Sequence, residues 1–188
     1  MIKGSIIIII TSSLTLLLAS CSPTMQLYKY DNPKRIYSGT IDETTYTSLK
    51  QLLATRTTLL LMDTIIIKYD YNNDNCWGLL DQKDENYIQT FITRHSERIQ
   101  ILQATRPNVS VFSFREPGND LNKIIKWDES IIIDSSRQLM NLLFKERSTC
   151  GNSIIILPDK KFVFIRSDSH SDALDFTQDK ISEFFTRN

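Results

Sequence analysis

The 188-residue sequence predicts an α/β fold: a three-layer α/β/α sandwich around a mixed central sheet. Three observations carry that expectation. Short runs of β-branched and aromatic residues recur along the chain, each of strand length. Stretches with helical apolar spacing fall between most of them. The last two runs are separated only by Pro158-Asp159-Lys160-Lys161, four residues suited to a hairpin turn. Strands separated by helices demand parallel crossovers, while a hairpin is antiparallel, so the sheet must be mixed and covered on both faces.

In chain order, the first helix is expected from Asp42 to Arg56, where Tyr46, Leu49, Leu52 and Leu53 form one apolar stripe. Leu59–Met62 either extends it or begins a strand. Thr64–Tyr71 reads as a buried strand, stopped by the turn formers Asn72–Asn75. A long helix follows from Asp84, a suitable N-cap, to Gln103, with Tyr87, Ile88, Phe91, Ile92, Ile99 and Leu102 on its buried face. Val109–Phe114 is the next strand, ended by Glu116-Pro117-Gly118-Asn119. A short helix over Leu121–Trp127, a brief strand at Ile131–Ile133 and a helix capped by Asp134 and running to Lys145 come next. The strands Ser153–Leu157 and Phe162–Arg166 precede a last helix that starts near Ser171 or Asp172.

Composition narrows the function classes. Twenty-two basic residues balance 22 acidic ones, so the basic excess of a nucleic-acid-binding surface is missing. Aromatic residues at 10% and charged residues at 23% do not fit a disordered chain.

The amino terminus is the most specific segment. Lys3 precedes an apolar stretch from Ile6 to Ala19, interrupted at Thr11–Ser13. It is too short for the roughly 20 residues of a membrane-spanning helix and has the length of a signal-peptide core. It ends in Leu18-Ala19-Ser20-Cys21, which resembles the bacterial lipobox. The resemblance implies lipidation of the Cys21 thiol, cleavage before it and acylation of the new amino terminus. Two or more acyl chains anchor stably where one does not. No acidic residue follows Cys21 until Asp31. By resemblance to Gram-negative lipoproteins, this implies an outer-membrane anchor with the domain facing the periplasm. The chain thus divides into a signal peptide at 1–20, a tether at 21–40 and a domain at 41–188. Removal of the signal takes Lys3 with it and leaves a net charge of −1.

The order of elements within the domain, βαβ, a helix, then ββα, resembles the thioredoxin-like fold. Cys76 follows the first core strand, where that family carries its redox motif. Cys150-Gly151-Asn152-Ser153 precedes the hairpin, where the family has a small residue and a cis-proline. The tetrapeptide from Cys76 is Cys-Trp-Gly-Leu, without a second cysteine, and Ser153 stands nearest the cis-proline position. Thiol–disulfide exchange needs one thiolate to attack and a second to resolve the mixed disulfide. The resemblance implies that Cys76 and Cys150 lie side by side, as a structural disulfide, a redox pair or buried thiols.

Other candidates are weaker. His95 falls within a helix, and the loop Ser167–Asp172 around His170 is contiguous, whereas a triad needs groups converging from separate elements. From Asp70, a calcium loop would want glycine at its sixth position and glutamate at its twelfth; the chain has Asn75 and Asp81. No metal site, cofactor or firm catalytic residue is expected. The reading is a non-enzymatic, lipid-anchored binding or assembly module of the outer membrane. Its partners are the membrane, through the lipid, and a protein of the cell envelope, recognised through Trp77, Asn152 and Ser153. The alternative is a periplasmic thiol–disulfide oxidoreductase using Cys76 and Cys150.

Overall fold

The computed structural model describes residues 32–72, 82–118, 128–148 and 150–186. Cys21, Cys76, Trp77 and the helix expected at 121–127 lie outside the described residues. The elements are β1 (Ile36–Thr40), α1 (Glu43–Arg56), β2 (Thr64–Asp70), α2 (Glu85–Thr105), β3 (Val109–Arg115), β4 (Ile132–Ile133), α3 (Gln138–Leu142), β5 (Asn152–Ile156), β6 (Lys161–Arg166) and α4 (Gln178–Thr186). The strands form one mixed sheet in the order β1-β6-β5-β2-β3-β4. β2, β3 and β4 are parallel neighbours; β5 runs against β2, β6 against β5, and β1 against β6.

Every residue of β2 is buried, as a central strand covered on both faces requires. Alternation then sorts its side chains into two cores. Ile65, Ile67 and Tyr69 pack with Leu49 and Leu53 of α1 and Leu139 of α3. Ile66 packs with Leu102 of α2, Ala173 and Leu174 of the 3-10 turn Asp172–Leu174, and Ile181 of α4. Helices therefore cover both faces, and the fold is the expected α/β sandwich with a mixed sheet and a carboxyl-terminal hairpin and helix.

Both long helices begin where their caps predict: the Asp42 carboxylate accepts from Thr45 N at 2.9 Å, and that of Asp84 from Tyr87 N at 2.8 Å. Five expectations are corrected. Residues 36–40, assigned to the tether for their polarity, form the edge strand β1, where Tyr37 packs against the rings of Phe162 and Phe164. Its Gly39 lies over Phe162, where a Cβ would meet the ring at 2.8 Å. Leu59–Met62 is neither helix nor strand; Ser110 Oγ holds this loop by donating to Leu60 O and accepting from Met62 N. The helix expected from Asp134 to Lys145 shrinks to α3, because Arg137 takes a left-handed conformation at φ 54°. The last helix divides into the 3-10 turn and α4. On α2 the apolar face is narrower than expected: Ile88 and Leu102 are buried, while Tyr87 and Phe91 are exposed.

Candidate functional site

Parallel strands β2 and β3 end side by side, the position at which open α/β sheets gather ligand-binding groups. Here β2 turns from aliphatic to ionisable: Ile65-Ile66-Ile67 is followed by Lys68-Tyr69-Asp70-Tyr71. Alternation sends Lys68 and Asp70 toward α2 and the tyrosines toward α1.

On the α2 side the Lys68 ammonium lies 3.5 Å from Asp70 Oδ1 and donates to Asp168 O. Strand register sets Ser113 on one side of Lys68 and Ser153 on the other. Phe91, Ile92 and His95 of α2 close over this row, leaving a space of about 40 Å³ that Asp128, Ser169 and Ser171 also line. That room exceeds the roughly 10–15 Å³ that a water molecule needs. Burial raises the Asp70 carboxyl above its ordinary range, with Lys68 pulling the other way. Burial, and then Lys68, hold the His95 imidazole below its ordinary range.

On the α1 side most polar side chains bond to one another, while the buried Glu116 Oε1 has only the longer ion pair to Arg137. Tyr69 OH donates to Asp134 Oδ2 at 3.2 Å, and the same oxygen accepts from Met140 N at 2.9 Å. Asn152 Nδ2 donates to Tyr71 OH and to Glu146 O, both at 2.7 Å, and its Oδ1 accepts from Ser167 N at 3.1 Å. The Glu116 carboxylate, 2% exposed, pairs with Arg147 and Arg137 and accepts from Asn72 N at 3.2 Å. Burial raises the hydroxyl pKa values of Tyr69 and Tyr71 well above the usual phenol value.

Asn152 and Ser153 do reach this end of the sheet, but both are 0% exposed. Their side chains therefore present no surface to a partner: they belong to the central strand β5, covered on both faces. Asn152 is fully bonded, and Ser153 Oγ has no hydrogen-bond partner. Cys150 is half-buried at the same end, reached through Gly151, which holds φ 82° and lies so close to β2 that a Cβ would fall 2.6 Å from Tyr69 O. Cys76 and Trp77 lie outside the described residues, so the distance from Cys76 to Cys150 is not part of this geometry. His170 is exposed, its carbonyl accepting from Arg98 at 2.9 Å. Among the described residues no three of His, Cys, Asp and Glu converge as metal ligands, and no helix is long and apolar enough to cross a membrane.

Sequence reasoning passed over Lys68 and Glu116, weighed Asp70 only as the start of a calcium loop and took Asp134 only as a helix cap. Two of them carried a usable signal: Lys68 and Asp70 stand two apart in a strand otherwise buried throughout, which forces two charges onto one interior face. No protein-family model, no curated protein and no solved structure matches the chain.

Proposed function

We propose that the chain is a lipid-anchored binding or assembly module, held to the bacterial outer membrane through Cys21 and facing the periplasm, with a domain of the thioredoxin-like type. The succession β2-α2-β3, then α3, then β5-β6-α4 supports the fold assignment, because it repeats the βαβ, helix, ββα order of that family. One observation carries the functional reading. At the end of β2 and β3, where chemistry would gather, the polar groups of Asp134, Asn152, Glu116 and Lys68 are engaged with other protein groups. General acid–base work needs such a group within hydrogen-bond reach of a substrate. Side chains spent on internal bonds instead rigidify a scaffold for recognition.

The oxidoreductase alternative draws support from one placement. Cys150 stands at the end of β2 from which the chain departs toward Cys76, four residues beyond Asn72. Four residues reach about 14 Å at full extension, enough to return one thiol to the other.

Insulin-disulfide reduction by the full chain, run beside photocrosslinking of the same chain in native envelopes, decides between them. The binding reading expects no catalytic reduction and repeated recovery of the same envelope protein. Turnover that Cys76→Ser abolishes assigns the chain to the oxidoreductases instead.

A further inference from the structure

Burying a hydroxyl without a hydrogen bond is costly, yet the Ser153 side chain is 0% exposed and its Oγ has no partner among the described residues. Strand register sets it beside Lys68, on the same face of the sheet and beneath α2. There it lines a cavity of about 10 Å³ together with Lys68, His95, Ser113 and Ser171. The cavity of about 40 Å³ shares those four residues, so the two form one chamber. Ser171 is 6% exposed, and its hydroxyl makes no capping bond to the 3-10 turn that it precedes.

The groups around the chamber select its occupant. Ser113, Ser153 and Ser171 supply hydroxyl donors, and the Lys68 ammonium carries three N–H groups. Asp168 O and Asp70 Oδ1 engage two of these, which leaves a third for a ligand. A negatively charged acceptor answers the ammonium and the hydroxyls together. Two carboxylates oppose it. That of Asp128 is engaged in its own turn, by Ser130 N at 3.0 Å and by Ser130 Oγ. Burial of Asp70 favours its neutral form, and a neutral carboxyl is a further donor. Lys68 then loses its partner charge, and a ligand with a single negative charge replaces it. The room, a few times what one water molecule needs, admits an ion of a few atoms.

We propose that the chamber between α2 and strands β2, β3 and β5 binds a small monovalent anion, of the size of chloride or formate, on Lys68, Ser113, Ser153 and Ser171. Binding is coupled to proton uptake by Asp70. The charged and titratable groups facing Asp70 are Lys68 on its own strand, Arg115 of β3, Asp168 after β6, and His95 and Asp128 across the chamber. Affinity therefore rises as pH falls, and a proton gained by His95 adds to the attraction. The liganded state gives the Ser153 hydroxyl its partner. This inference stands apart from the binding-module reading.

The experiment titrates the 15N-labelled full-length chain with sodium chloride and with sodium formate at about pH 5.5, the ionic strength held constant with sodium sulfate. It follows the backbone amides of Ser113 and Ser153 and the ring nitrogens of His95. These signals should move together and saturate with a midpoint of about 10 mM. Ser153→Ala, which breaks no existing hydrogen bond, should weaken binding at least about threefold, and Lys68→Met should abolish saturation. Affinity should fall at least about threefold between about pH 5.5 and about pH 7.5. Shifts that do not saturate, that sulfate alone reproduces, that Ser153→Ala leaves unchanged or that ignore pH overturn the proposal. If Lys68→Met does not fold, Ser153→Ala decides by itself.

Discussion

Ser153 and Asn152 are neighbours with equal burial and opposite energetics. The Ser153 hydroxyl is interred without a partner, while the Asn152 amide bonds to Tyr71, Glu146 and Ser167. Ser153→Ala should therefore leave urea stability unchanged or raise it by about 1 kcal/mol, since it removes a hydroxyl that desolvation penalises. Asn152→Ala should lower stability by about 2–4 kcal/mol, because it strands the Ser167 N–H and removes the donor that the Tyr71 hydroxyl and Glu146 O share, although Tyr71 OH still donates to Glu146 O. Equal losses at both positions would refute this contrast. His95 supplies the pH dependence. Its folded-state pKa lies below the ordinary 6.5, first through burial and then through Lys68 and Arg98, with Asp128 opposing. The unfolded chain then binds a proton that the folded chain resists, so stability present above 6.5 falls as pH drops below it. Asp70, raised above 3.8, has the opposite sign: the folded chain binds its proton more tightly, and that group favours folding as pH falls. His95→Gln should flatten the urea-midpoint slope between about pH 7.5 and about pH 5.5; an unchanged slope assigns it to other groups.

Among the elements, α1 and α2 were legible because their signals are local: an aspartate cap, helical apolar spacing and a defined end. Asp84→Ala should lower stability by about 1 kcal/mol through loss of the bond to Tyr87 N, measurable by thermal denaturation. The short helix α3 obeys other rules. The Asp134 carboxylate reaches Met140 N and the Tyr69 hydroxyl, joining α3 to the sheet rather than capping a continuous helix. Asp134→Ala should cost more than Asp84→Ala, about 2–3 kcal/mol, since it leaves buried donors unpaired. Equal costs would show α3 held by its own sequence. The edge strand β1 was illegible for the reverse reason. Ile-Tyr-Ser-Gly-Thr shows little apolar alternation, and only pairing with β6 and the ring of Phe162 makes it a strand.

At the scale of the whole molecule, a sheet covered by helices on both faces would be carried by whatever anchors its amino terminus. Expression of Cys21→Ser should move the chain from the membrane fraction to the soluble fraction and abolish fatty-acid incorporation; membrane retention would disprove the lipid anchor. The sequence by itself determined the α/β class, the central strands and the two long helices, because hydrophobic periodicity and caps act within a few residues. Only the tertiary structure decided that Asn152 and Ser153 lie inside and that Lys68 and Asp70 meet beneath His95. Those outcomes depend on which strands become neighbours and which faces become covered, relations between residues far apart in sequence that no local pattern encodes.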